Sequence, residues 1–195
     1  MSGLELLAWE APGWGAALAA GLLKSVLIAL GAFGLGLLIG IGGAYGKLYG
    51  GPVTRDLLAV YTTIVRAVPE LILILILYFA FTSSINNLLL AWGFERIQIS
   101  GFVAGIAVLG VVQGAYATEV LRGAILSVPA GQIEAARAMG MPPLMLAWRV
   151  TFPQMLAAAI PGLANLWLIA TKDTALLAVV GYAELTLVTR QAAST

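Results

Sequence analysis

Charged residues cut this chain into long apolar blocks. Between Lys24 and Lys47 lie 22 uncharged residues, between Glu70 and Glu95 24, between Arg96 and Glu119 22, and between Arg149 and Lys172 22. A helix of 22 residues is about 33 Å long at about 1.5 Å per residue, and the hydrocarbon core of a bilayer is about 30 Å thick. In lipid the backbone must satisfy its own hydrogen bonds, which a helix does within one segment. The pattern predicts an all-α membrane protein with four transmembrane helices at roughly 22–45, 67–87, 100–121 and 154–171. The segment 174–190 is apolar but has only 10 uncharged residues before Glu184, too few to cross alone. It is expected to re-enter the membrane or to lie at its surface. Residues 1–195 are read as one transmembrane domain.

Composition agrees with the pattern. Hydrophobic residues are 61 % of the 195 and charged residues 10 %, against about 25 % charged in a soluble domain. The net charge of +1 gives no reason to expect a nucleic-acid partner. The chain has neither Cys nor His, which excludes thiol nucleophiles, Cys/His metal sites and imidazole catalysis. It has no Gly-x4-Gly-Lys-Ser/Thr phosphate loop, and Gly40 to Gly46 ends an apolar helix with no strand before it, so no nucleotide site is read there.

Basic residues set the expected orientation. Lys47, Arg55 and Arg66 follow the first span, and Arg122, Arg137 and Arg149 follow the third, whereas the loop before the third carries only Arg96. The bias places the 46–56 and 122–153 loops in the cytoplasm and the N-terminus outside. Met1 to Glu10 lacks the basic start of a signal peptide, and Trp9 and Trp14 suit the outer headgroup belt. Glycines four apart (Gly36 and Gly40, Gly42 and Gly46, Gly101 and Gly105, Gly110 and Gly114) mark faces for close helix packing, within the chain or against another subunit.

The 122–153 loop is unlike a solvated linker. After Pro129, a good first-turn residue, it predicts a short helix over 131–139 with Glu134 and Arg137 one turn apart. Gly140 breaks the helix and Pro142-Pro143 prevents its continuation. Ala135, Ala136, Ala138 and Met139 give it a small, bare surface that another protein could grip. The run Glu134-Ala135-Ala136, three residues, Gly140, nine residues, Val150, one residue, Phe152-Pro153 resembles the EAA loop of ABC importer permeases. The family pattern has Ile and Leu at the positions of Val150 and Phe152. Tyr61 to Leu71, Gly114-Ala115-Tyr116, Glu119, Arg122-Gly123 and Lys172-Asp173-Thr174-Ala175-Leu176 also resemble the polar amino-acid permeases, above all the Q-type half of the histidine/lysine/arginine/ornithine and opine systems.

The resemblance, which covers about residues 14–195, implies the fold, the function and the partners. The fold is that of binding-protein-dependent importer permeases, with a usual fifth helix absent after Gln191 to Thr195. The function is ATP-driven import of polar, basic amino acids across a bacterial inner membrane. The chain itself is not an enzyme and needs no cofactor; ATP and Mg belong to a pair of partner ATPase subunits. A second permease subunit and an extracytoplasmic amino-acid-binding protein complete the assembly within membrane lipid. Glu134, Ala135, Ala136, Arg137 and Gly140 are the expected ATPase-docking residues.

Polar residues within or beside the spans supply the remaining candidates. Gln113, Asn165, Lys172 and Asp173 are assigned to the translocation path or a gate, because an ionised side chain in mid-bilayer costs about 2.5–3.5 kcal/mol and faces a cavity or a partner. Lys172 and Asp173 are expected at the outer end of span four, and Pro161-Gly162 is expected to bend that span. Arg66 with Glu70 and Glu119 with Arg122 have the spacing of structural ion pairs at the membrane surface. The family often has an acid after the Asn at 165, where this chain has Leu166, and from this a partner permease of different sequence is expected. The alternative reading is a secondary transporter or channel subunit working without an ATPase.

Overall fold

A computed structural model of the chain describes residues 7–10 and 12–194. Glu5 and most of the Met1–Glu10 leader read above lie outside the described residues. The described residues are helical throughout, with no strand among them. Helix α1 covers Gly15–Tyr49, α2 Pro52–Ala67, α3 Glu70–Ala91, α4 Gly101–Leu126, α5 Ala130–Ala138, α6 Pro143–Leu146, α7 Phe152–Asp173 and α8 Leu185–Ala193. A π-helical stretch, 147–151, joins α6 to α7, and a 3-10 stretch, 174–180, extends α7. Four stretches are long and apolar enough to cross a membrane: α1, α3, α4 and the continuous run 143–180. The four expected spans are thus present, with longer first and fourth members.

Local sequence sets the breaks. Gly50-Gly51 ends α1, and Pro52 opens α2 at a position where its missing N–H is not needed. Val68 precedes Pro69 and is held extended at ψ 137°, so α2 stops there. Glu70 then sits in the first turn of α3, where the helix dipole favours an acid. Ser100 caps α4, its hydroxyl accepting the Val103 N–H at 3.3 Å.

The core is the seam between α1 and α4. Their residues meet in rising order on both helices, so the two run parallel. Leu35 and Ile39 of α1 lie over Gly110 and Gly114 of α4, and Gln113 and Ala117 of α4 lie over Gly36 and Gly40 of α1. A Cβ on Gly36 would come within 2.7 Å of the Gln113 Cβ, and one on Gly40 would collide with Ala117. Water-driven burial is unavailable between helices in lipid, so this close approach supplies dispersion contact instead. The Gly36–Gly40 and Gly110–Gly114 pairs therefore serve packing inside the chain.

The other elements are arranged on this pair. Helix α2 folds back along α4, where the Tyr61 hydroxyl donates to the Val111 carbonyl. Ile74 of α3 enters the core beside Val108 and Leu109. Helix α7 runs antiparallel to α4, with Gly162 against Val120, and α7 continues as a helix through Pro161. Changes of winding lie at its ends, in the π and 3-10 stretches. The first part of the 174–190 segment completes the fourth apolar run, and the rest does not continue straight. It turns at Gly181 and seats α8 on α1: buried Glu184 (1 % exposed) accepts from Ser25 Oγ at 3.1 Å and from the Thr186 and Leu187 N–H groups at 2.9 and 3.0 Å. The Leu185 backbone lies against Gly21.

Candidate functional site: a docking helix and a polar cluster between helices

Helix α5 stands at the end of the bundle where α1 and α4 finish, beside their basic residues. Its C-terminus is closed by a Schellman arrangement: Gly140 N–H donates to Arg137 O at 2.9 Å and Met141 N–H to Ala136 O at 3.1 Å, with Gly140 at φ +73°. That left-handed conformation is why a Gly stands here, since there is open space around its Cα. Pro142 and Pro143 then start α6 in a new direction. Pro153 has no N–H to give the preceding turn, and the backbone before it is π-wound, with Phe152 N–H reaching back to Ala147 O.

The expected docking residues divide into two groups. Glu134, Ala135, Arg137 and Gly140 are exposed, and so is Met139 at 81 %. Ala136 is not on that surface: it is 5 % exposed and turned toward the bundle. Ile133, one turn earlier, packs on the cluster of Ala44, Leu121, Ile125 and Met155. The inward face of a nine-residue helix must bury something, and Ile133 and Ala136, three apart, are that face. Of the expected docking residues, Glu134, Ala135, Arg137 and Gly140 therefore stand on the exposed surface, with Ala138 and Met139. Arg137 borders a cavity of about 300 Å³ between α5, α7 and the end of α1.

Above α5, two cations meet on Glu119. Lys47 Nζ donates to Glu119 Oε1 at 2.5 Å and to Thr62 Oγ1 at 2.7 Å, while Arg122 Nε and Nη2 donate to Glu119 Oε2 at 3.0 and 2.9 Å. Glu119 and Arg122 thus form the expected pair. Lys47, read from sequence only as a topology marker, joins it and ties α1 to α2 and α4. Its place in the last turn of a long apolar helix was the available signal.

Arg66 and Glu70 do not pair. The break at Val68-Pro69 puts them on different helices and removes the one-turn geometry that their spacing suggested. Both instead engage Tyr116 of α4. The Arg66 guanidinium carbon lies 5.9 Å from the ring centroid, and the Tyr116 hydroxyl donates to Glu70 Oε1 at 3.4 Å. The Glu70 carboxyl also interacts with that of Asp173.

Asp173 is 4 % exposed and accepts from Gln113 Nε2 at 3.3 Å. Gln113 lies near the middle of α4, so Asp173 lies at mid-bundle and not at the outer end of the fourth span. The 3-10 stretch beyond it carries the chain onward, with Leu177 against Gly105 and Tyr182 against Gly101. Gln113 and Asp173 are therefore brought together, whereas Asn165 and Lys172 are exposed and turned away from them. Successive helix residues point about 100° apart, which separates Lys172 from Asp173 and Asn165 from Leu166. Leu166 is buried beside Phe33, Leu37 and Gln113. That position is packed in the chain's own core. Tyr116, the residue that links Arg66 to Glu70, had no role assigned from sequence.

An apolar four-span bundle, a small helix locked outside it and a polar cluster between its helices define a membrane transport subunit. Residues 32–195 match the family described as binding-protein-dependent transport system inner membrane component, and the chain belongs to that family. It is 42 % identical over 184 residues to the nopaline transport system permease protein NocQ of Agrobacterium fabrum, covering 93 % of this chain and 78 % of that protein. It is 38 % identical over 161 residues to the histidine/lysine/arginine/ornithine transport system permease protein HisQ of Escherichia coli, covering 83 % and 71 %. Among solved structures, the crystal structure of an amino acid ABC transporter with histidines superposes with a TM-score of 0.72 at 29 % identity, covering 89 % of this chain and 76 % of that one. The methionine transporter MetNI in inward-facing form gives the same TM-score at 21 % identity and shares the fold.

Proposed function

We propose that this chain is the permease subunit of an ATP-driven importer of polar amino acids with basic or opine-type side chains. The relatives named for nopaline and for histidine, lysine, arginine and ornithine support that substrate class. ATP and Mg act on a pair of partner ATPase subunits, which grip α5. A second permease subunit and an amino-acid-binding protein complete the transporter. The end carrying Lys47, Arg122 and α5 faces the cytoplasm and the N-terminus faces outward, as the distribution of Lys and Arg favours.

The observation that carries this reading is the construction of α5. Its outer face is small and bare, its inner face is fastened by Ile133 and Ala136, and its end is locked at Gly140. From there the chain runs without a flexible link through α6 and the π stretch into α7, which bears Asp173. A displacement of α5 by ATPase closure is passed directly to the helix beside the polar cluster, so a change at the nucleotide reaches the path. Gln113 and Asp173 belong to that path within this chain. Asn165 and Lys172 border it from the surface that a second permease subunit would cover.

The test is co-expression with the ATPase subunits and recovery on the tagged permease. The wild type should retain the ATPase pair. Gly140→Val, which puts a β-branched residue where φ is +73°, should retain about tenfold less, with the bundle itself still folded. Equal recovery by both would overturn the docking role of α5.

A further inference from the structure

We infer that Arg66, Tyr116 and Glu70 form a binding site for the main-chain charges of an amino acid, Arg66 taking the carboxylate and Glu70 the ammonium. The inference rests on the importer reading above and assigns part of its path to residues of this chain.

The first observation is a charge without a counterion. The Arg66 guanidinium is always ionised, and no carboxylate lies within ion-pair distance of it among the described residues. Its recorded neighbour is the face of Tyr116. A ring holds the guanidinium in place by cation–π attraction and leaves its N–H edge free. That edge matches a carboxylate with two parallel hydrogen bonds.

The second observation is an opposite deficit on the other side of Tyr116, at its hydroxyl. Glu70 receives one long hydrogen bond, from Tyr116, and lies near enough to Asp173 for the two carboxyls to interact electrostatically. Two neighbouring carboxyl groups repel when both are ionised, a repulsion that a shared proton or a cation beside them relieves. Neither local cation supplies it. Lys47 is held by Thr62 and Glu119, and Lys172 is exposed and pairs with neither acid. Gln113, 1 % exposed, gives its amide N–H to Asp173 and leaves Oε1 without a donor. Glu70 and Gln113 therefore have acceptor capacity to spare, while Arg66 has donors to spare.

The third observation is room. Arg66 and Tyr116 line an open cavity of about 500 Å³ together with Lys47, Thr62, Thr63, Ala67 and Glu119, and Glu70 adjoins it through the Tyr116 hydroxyl. Tyr116 belongs to both halves: its ring carries the cation and its hydroxyl holds the acid. One side chain thus fixes a positive and a negative group at a spacing set by a phenol, which suits the two ends of one α-amino acid. The polar substrate side chain is left to the cavity.

The test uses the complete complex of permease pair and ATPases in detergent, without the binding protein, and three radiolabelled probes: L-arginine, its methyl ester, and agmatine, which lacks the carboxylate. The wild type should bind L-arginine about tenfold or more tightly than either analogue. Arg66→Gln should bind all three alike, at the level of agmatine on the wild type. Tyr116→Phe keeps the ring under Arg66 and frees Glu70, so it should weaken all three severalfold and retain the preference for L-arginine. Recovery of the ATPases with each variant reports assembly. A wild type that does not distinguish L-arginine from agmatine would overturn the site, as would an Arg66→Gln complex that keeps the preference. If the wild type binds none of the probes and imports no basic amino acid with its binding protein present, the importer reading falls, and this site with it.

Discussion

Helices α3 and α4 are both apolar and both long enough to span, yet they occupy opposite environments. In α3 the buried residues are Leu73 and Ile74, while Ile72, Ile76, Phe79 and Leu88 face outward. In α4 most of the helix is buried, from Ala104 to Ile125. Hydrophobicity does not separate them, because lipid tails are as apolar as leucine. Side-chain size does. The run Leu-Ile-Leu-Ile-Leu-Ile-Leu of α3 presents bulk that fills lipid, whereas Gly105, Gly110, Gly114, Ala115 and Ala117 let α4 receive its neighbours at backbone distance. Gln113, Tyr116 and Glu119 of α4 each bond a residue of another helix.

This contrast can be broken most severely at the seam. Gly40→Leu places a full side chain where a single Cβ already meets Ala117. Overpacking of a well-filled core costs about 1–3 kcal/mol and more when backbone must move. The variant should be lost from the monodisperse peak in detergent size-exclusion chromatography. Next comes Glu119→Ala, which leaves Lys47 and Arg122 facing each other without their shared acid. Removing one partner of a buried pair costs about 3–5 kcal/mol, and the half-exposed Arg122 places this site toward or below the lower figure. A lowered thermal unfolding midpoint should be partly restored by adding Lys47→Met, and an unchanged midpoint would show that the triad contributes no stability.

A smaller effect is expected at the opposite end of α1. Glu184→Ala removes the cap of α8 and its bond to Ser25. Loss of a cap costs about 0.5–2 kcal/mol, so α8 should exchange its amide hydrogens faster while α1 and α4 keep their protection. The smallest effect belongs to α3. Ile76→Ala, at a residue 58 % exposed, should stay within about 0.5 kcal/mol of wild type, as substitutions away from a packed core do. A large loss there would mean that this face of α3 is covered in the assembled transporter and not by lipid.

Much of the architecture is legible in the chain because bilayer thickness imposes a length on any apolar helix, and charges mark where each one ends. The EAA-type loop is legible for a similar reason. Its helix, its Gly140 turn and its prolines act within a few residues of one another, so spacing carries their geometry. The polar cluster is less legible. Arg66 and Glu70 have the spacing of a helical pair, and only the extended Val68 before Pro69 shows that no single helix carries both. Asp173 stands beside exposed Lys172 in the sequence but faces Gln113, sixty residues earlier.

By itself, the sequence determined that this protein lies in a membrane, how many stretches can cross it, roughly where they lie, and that a short helix ending at Gly140 stands between the third and the fourth. These are local properties, set by side-chain hydrophobicity, by the fixed φ of proline and by the conformational freedom of one glycine. The tertiary structure alone decided which apolar helix became the centre, that Ala136 and Leu166 turn inward, that α8 folds onto Ser25, and that Tyr116 gathers Arg66 and Glu70. Those outcomes depend on which faces meet when helices pack, and in lipid that choice rests on shape and hydrogen bonding between segments distant in the chain.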